Sequence, residues 1–167
     1  MTRKTTRWAM AALVAVMGLG MTTTAHAQQS TYYARSHLGF HGAYNFDVEE
    51  AAVGAQATIP VGNMLEFYPS FDVYFVDPGS LWALNLDLKY RITGQNFNWL
   101  YIGGGMQVAR ASVNGASDSN VGLNLLAGVE SRKGAVHPYA EFRGTFGDGS
   151  SAQLAVGLNF TLGNHYR

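Results

Sequence analysis

The chain of 167 residues contains no cysteine. Disulfides, thiol chemistry and a lipoprotein anchor are thereby excluded. Charge is scarce: Asp, Glu, Lys and Arg make up 13% of the chain, about half the ~25% of an ordinary soluble domain. Beyond residue 27 no apolar run approaches the ~18 residues that mark a membrane-crossing helix. No surplus of positive charge exists either. Three of the 11 basic residues fall within residues 1–27 and none of the 11 acidic ones, so the remainder carries eight against 11, a formal charge of −3. That balance gives no basis for nucleic-acid binding. Gly103-Gly104-Gly105 is no phosphate loop, because the lysine and helix that such a loop needs do not follow it.

What the N-terminus does have is an export pattern. Arg3, Lys4 and Arg7 precede an apolar stretch from Trp8 to Leu19, and Ala25-His26-Ala27 is a small-x-small cleavage site. The stretch is too short for a retained helical anchor. No paired arginines are present, which favours the general secretory route. Residues 1–27 are predicted to be a cleavable signal peptide, and residues 28–167 a single domain beginning at Gln28.

That domain is read as all-β. Glycine is abundant, at 20 residues, and aromatics reach 13%, as in sheets joined by tight turns. After a leader at 28–35, eight segments alternate with period 2. The first places Leu38, Phe40, Gly42, Tyr44 and Phe46 opposite His37, Gly39, His41, Ala43 and Asn45. The second, about Ala51 to Val61, has Val53, Ala55 and Ile59 opposite Gln56 and Thr58, and Gly62-Asn63 turns the chain. The third, Met64 to Val76, sets Leu65, Phe67, Phe71, Val73 and Phe75 against Glu66, Tyr68, Ser70, Asp72 and Tyr74. Pro69 marks a bulge or a weak ladder position there. After Asp77-Pro78-Gly79 the fourth sets Trp82, Leu84, Leu86, Leu88 and Tyr90 against Ala83, Asn85, Asp87, Lys89 and Arg91. Thr93 to Asn98 is a turn. The fifth, Trp99 to Arg110, is blurred by its glycines, and Leu100, Ile102, Met106 and Val108 are assigned outward. Ala111 to Asn120 is expected to be the longest loop. The sixth opposes Val121, Leu123, Leu125 and Val129 to Asn124, Leu126 and Glu130. The seventh opposes Pro138, Ala140 and Phe142 to His137, Tyr139, Glu141, Arg143 and Thr145. The eighth, Gln153 to Leu162, alternates almost without error.

Segments of ~9–11 residues suit tilted strands crossing a bilayer. An even number with short connections implies an up-and-down antiparallel barrel. Phe46, Phe75, Trp82, Tyr90, Trp99, Phe146 and Phe160 lie near strand ends, where interfacial girdles form. A soluble ligand-carrying barrel has the same period but hides its apolar face. Here the large aliphatics share one face and would not fit inside eight strands, whereas glycines and charges share the other. The expected fold is therefore an eight-stranded antiparallel transmembrane β-barrel with its polar face inward. Its interior is expected to be packed by Glu66, Asp72, Asp87, Lys89, Arg91, Glu130, His137, Glu141 and Arg143, together with Tyr68, Tyr74 and Tyr139. Buried charges must pair. Glu66 is expected to pair with Lys89 or Arg91, Glu130 with His137, and Glu141 with Arg143. The role assigned to this set is structural.

The signal peptide, the strand pattern and the stretch from His137-Pro138-Tyr139-Ala140-Glu141-Phe142-Arg143 to Leu162 resemble the small OmpA/OmpX-type outer-membrane barrels of Gram-negative bacteria. Gly147-Asp148-Gly149 followed by Leu154 to Leu162 is similar to their closing hairpin. The resemblance spans residues 30–163. It implies an outer-membrane location, contact with outer-membrane lipid and lipopolysaccharide, and handling by periplasmic chaperones and the barrel-assembly machinery. In such barrels the last strand usually ends on an aromatic. This chain departs from that, since Gly163 to Arg167 extend past Leu162. The family's wall-anchoring role is not carried over, because no peptidoglycan-binding domain follows. The expected function is a structural or surface-interaction barrel, with a narrow porin-like or apolar-solute path as the alternative. A lipid A-modifying enzyme would need a Ser/His/acid set at the rim. Ser36, His37 and His41, or His137 and Glu141, are the available groups, but the histidines and Glu141 are assigned inward, so no catalytic residue is named. His37 and His41 lack a third metal ligand. No cofactor is expected.

Overall fold

A computed structural model describes residues 35–92, 99–113, 115–147 and 150–162. The predicted signal peptide, the turn at 93–98 and the tail at 163–167 lie outside these residues. Eight strands follow in order: β1 (His37–Asn45), β2 (Glu50–Pro60), β3 (Leu65–Tyr74), β4 (Ser80–Arg91), β5 (Leu100–Val113), β6 (Ala116–Glu130), β7 (Val136–Gly147) and β8 (Ser151–Thr161). Each pairs antiparallel with the next, and β8 returns to β1, so the sheet closes as a barrel.

Closure is staggered. Followed strand by strand from His37, the ladder comes back to the line of β1 at Asp47, ten residues further on. Phe46 N–H donating to the Ala152 carbonyl at 2.9 Å carries that last step. A stagger tilts the strands, by ~35–45° in most closed barrels, and tilt lets strands of this length span an apolar layer.

The period-2 pattern becomes two faces. Outside stand the large apolar side chains, among them Phe40, Val53, Phe71, Leu86, Met106, Leu123, Phe142 and Val156. Inside stand the polar ones. The doubtful phase of β5 resolves through its neighbours: Met106 lies beside Leu86 and Leu123, and Ile102 beside Tyr90 and Ala127, all outward. Pro69 interrupts the β2–β3 ladder without inserting a residue. Gln56↔Ser70 and Ile59↔Phe67 keep one register on either side of it, so it is a weak position and not a bulge.

The expected loop at Ala111–Asn120 is replaced by paired strand. β5 and β6 stay in register out to Val113↔Ala116, and Gly115, at φ +83°, takes the left-handed turn position that glycine fills without strain. Ser, Asn and Gly there look like loop residues, but residues 116–121 of β6 are exposed on both faces, so their alternation can be polar on both. β7 pairs with β6 only from Gly122 onward.

Phe46, Phe75, Trp82 and Phe146 ring the hairpin end of the barrel, while Tyr90, Trp99 and Phe160 lie at the end where β1 begins and β8 finishes. The latter is called the terminal end below.

Candidate functional site

The interior holds the chemistry. All nine residues assigned to it from the sequence are buried there, none more than 7% exposed. Alternation alone brings them in, since each sits on the inward parity of its strand.

At the terminal end Arg91 is the organising cation. Its Nε donates to Glu66 Oε2 at 2.8 Å, and its Nη2 lies 2.5 Å from Glu130 Oε2. Lys89, directly opposite Glu66 in the β3–β4 register, does not take it. Its ammonium sits 3.8 Å above the Tyr68 ring and 4.5 Å from that of Tyr101, with Glu130 at 3.9 Å. Two aromatic faces are favourable for a buried ammonium. In mid-barrel Arg143 gathers three carboxylates. It donates to Glu141 Oε1 at 3.0 Å, lies 3.1 Å from Asp87 Oδ2 and 3.9 Å from Asp72 Oδ2, and also reaches Ser70 Oγ at 3.2 Å. Tyr101 donates to the other oxygen of Glu141 at 2.9 Å.

The pairing expected between Glu130 and His137 does not form. Glu130 is taken by Arg91 and by Asn159 Nδ2 at 2.7 Å. His137 instead bonds the Ser131 carbonyl, in the turn that follows Glu130, at 2.9 Å and Thr161 Oγ1, at the end of β8, at 2.8 Å. A guanidinium with two usable faces out-competes an imidazole already engaged locally.

Amides outside the expected interior set join the two clusters, together with His41, which the alternation assigns inward. Asn159 accepts from Gln56 Nε2 at 2.8 Å. Gln56 Oε1 faces His41 Nδ1 at 2.6 Å, and His41 Nε2 faces Asp72 Oδ1 at 2.5 Å. Asn85 then donates to Asp72 at 2.9 Å and accepts from Asn124 and Gln107 at 3.0 Å. Asn124 also donates to Asp87 and accepts from Thr145 at 2.8 Å. The result is one continuous polar chain from Arg91 to Thr145. Inward parity was the available signal for Gln56, Asn85, Asn124 and Asn159, but charge drew attention away from them. Glycine makes the room. A Cβ on Gly54 would run into His41 Nε2 and Asp72 Oδ1, and one on Gly128 into the Tyr101 ring.

One cavity opens at the terminal mouth. A cavity of about 260 Å³ is lined by Arg35, His37, Arg91, Glu130, Ser131, Arg132, Gly134, His137 and Thr161. His37 and His41, considered together as metal ligands, are separated in role: His37 stands edge-on to His137 at 4.8 Å, and His41 belongs to Asp72.

No protein-family model matches the sequence, and no curated protein matches it. Solved structures do. The N-terminal β-barrel domain of Pseudomonas aeruginosa OprF aligns at TM-score 0.64 and 16% identity, over 76% of this chain and 96% of that one. Neisserial surface protein A aligns at 0.58 and 17%, over 76% and 96%. Ail, the attachment invasion locus protein of Yersinia pestis, aligns at 0.51 and 14%, over 77% and 97%. At such identities it is architecture that is shared: this chain has the closed eight-stranded fold of the small outer-membrane barrels.

Proposed function

We propose that the mature protein, beginning at Gln28, resides in the outer membrane as a structural or surface-interaction barrel that does not conduct. The observation that carries this reading is the interior: five buried carboxylates, three long cations and their amide partners fill the lumen as one hydrogen-bonded body. Eight strands leave little more than side-chain volume inside, and charges tied up with one another hold no water path open. The apolar exterior supports contact with outer-membrane lipid and lipopolysaccharide, and an exported barrel of this kind would pass through periplasmic chaperones and the assembly machinery.

The terminal end then faces the periplasm and the β5–β6 hairpin faces outward. Residues 116–121 are exposed, and β7 does not pair with them, so a polar strand edge is presented for contact. The names of two structural neighbours, a surface protein and an attachment protein, accord with such a role in those proteins. We read the protein as a non-enzyme, a reading supported by the structural engagement of His41 by Gln56 and Asp72 and of His137 by the Ser131 carbonyl and Thr161. The test joins fractionation to conductance. Protein starting at Gln28 in the outer-membrane fraction, and a refolded barrel silent in planar bilayers, are expected. A large steady conductance would favour the porin-like alternative. A soluble periplasmic protein would overturn the reading altogether.

A further inference from the structure

The cavity at the terminal mouth is unlike the rest of the interior. Among the described residues its lining is rich in donors: three guanidinium groups, Arg35, Arg132 and the Glu66-paired Arg91, and two imidazoles, His37 and His137, beside the carboxylate of Glu130. That carboxylate is engaged by Arg91 and Asn159.

His37 supplies the second observation. It is only 7% exposed, it lines the cavity, and its Nδ1 has no hydrogen-bond partner among the described residues. A buried polar nitrogen is seldom left so, because desolvation without a partner is costly. Its neighbour shows what the position lacks: His137 has both ring nitrogens engaged, on Ser131 O and Thr161 Oγ1. Ser131 and Thr161 add hydroxyl groups to the wall. Gly134, at φ +83° with nothing within 4 Å of an added Cβ, leaves the turn side open.

We infer that this cavity is a binding site for a phosphate-type oxyanion, held by Arg132 and Arg35 at the rim and by His37 at the floor. The chemistry fits the group. Guanidinium forks and imidazole N–H groups donate to tetrahedral oxyanions in charge-assisted hydrogen bonds. The volume is below the ~300–1,000 Å³ of pockets that enclose drug-sized ligands, so a small anion or the head of a larger molecule is taken and its bulk excluded. Two sources carry this chemistry: a soluble phosphate, and the phosphodiester of a phospholipid headgroup at the membrane face beside the mouth.

The experiment titrates refolded full-length mature protein, in a phosphate-free amine-oxide detergent, with inorganic phosphate by calorimetry and by phosphorus NMR. It is repeated with short-chain phosphatidylglycerol as competitor. One saturable phosphate per barrel is expected. Arg132→Gln and His37→Phe should each weaken it at least tenfold, and Arg110→Gln, on the far hairpin, should leave it unchanged. Competition by the lipid assigns the headgroup as the source, and its absence assigns the soluble ion; either supports the site. Heat-dependent gel migration verifies folding. Arg132 lies in a turn outside every strand, so its variant serves if His37→Phe fails to refold. No saturable binding of either probe, or binding indifferent to Arg132→Gln in a folded barrel, would overturn the assignment.

Discussion

His41 shows how single residues hold the interior. Its Nδ1 faces Gln56 Oε1 and its Nε2 faces Asp72 Oδ1. The amide orientation is anchored, since Gln56 Nε2 donates to Asn159 and Asn159 donates in turn to Glu130. Three buried cations, Lys89, Arg91 and Arg143, stand against five carboxylates: Glu66, Asp72, Asp87, Glu130 and Glu141. His41 holds one of them, Asp72, from its Nε2. Asp72 depends on it, because Arg143 is 3.9 Å away and shared with two other carboxylates. His41→Leu should cost ~3–5 kcal/mol, the usual penalty for stripping one partner from a buried ion pair. Gly54→Ala should also destabilise, since its Cβ would meet that same pair. Gly42→Ala, one position along β1 and outward, has nothing within 4 Å and should change stability by no more than ~0.5 kcal/mol. Urea titration in lipid vesicles ranks the three, and equal effects at Gly54 and Gly42 would deny the crowding around His41.

At the scale of the strand, face assignment decides the outcome of a substitution. Leu86 is 39% exposed, midway along β4, flanked outward by Pro69 and Met106. If that face meets lipid, Leu86→Arg should cost ~2–4 kcal/mol or block insertion, as charges near the bilayer midplane do. Gln107→Ala on the inner face of β5 loses one hydrogen bond, to Asn85, and should cost ~0.5–1.5 kcal/mol. Folding titrations giving the reverse order would place the apolar face in water. These faces could be read in the sequence because period 2 is imposed by the pleat itself and every strand obeys it, β8 most plainly. What could not be read follows from contacts beyond one strand. The phase of β5 becomes definite only beside Leu86 and Leu123. The β5–β6 hairpin has a polar sequence that a loop would share, and only cross-strand pairing separates the two. Charge partners were half legible: Glu141 and Arg143 are neighbours on one face, whereas Glu130 finds Arg91 two strands away, past β5, a meeting set by barrel curvature and side-chain reach.

For the molecule as a whole the question is what keeps the lumen shut, and Arg143 is the centre of that closure. It touches groups from β3, β4 and β7, through Ser70, Asp87 and Glu141, so it bridges the barrel's width. Removing it alone would leave three carboxylates in a dry interior without their guanidinium, and one-sided removal of a buried charge is the costly kind. Arg143→Ala should therefore destabilise more than Glu141→Ala. The double replacement should cost less than the two added together, with a coupling of ~0.5–3 kcal/mol, as contacting residues show. It also removes two long side chains at one level. Water should enter there, with Asp72 and Asp87 lining the gap. Single-channel recording of the folded double variant should then show conductance above the silent parent, selective for cations because those carboxylates stay. A folded double variant that remains silent would move the constriction to the Arg91, Lys89 and Glu130 layer, where Arg91 links Glu66 to Glu130 and Lys89 caps two tyrosine rings.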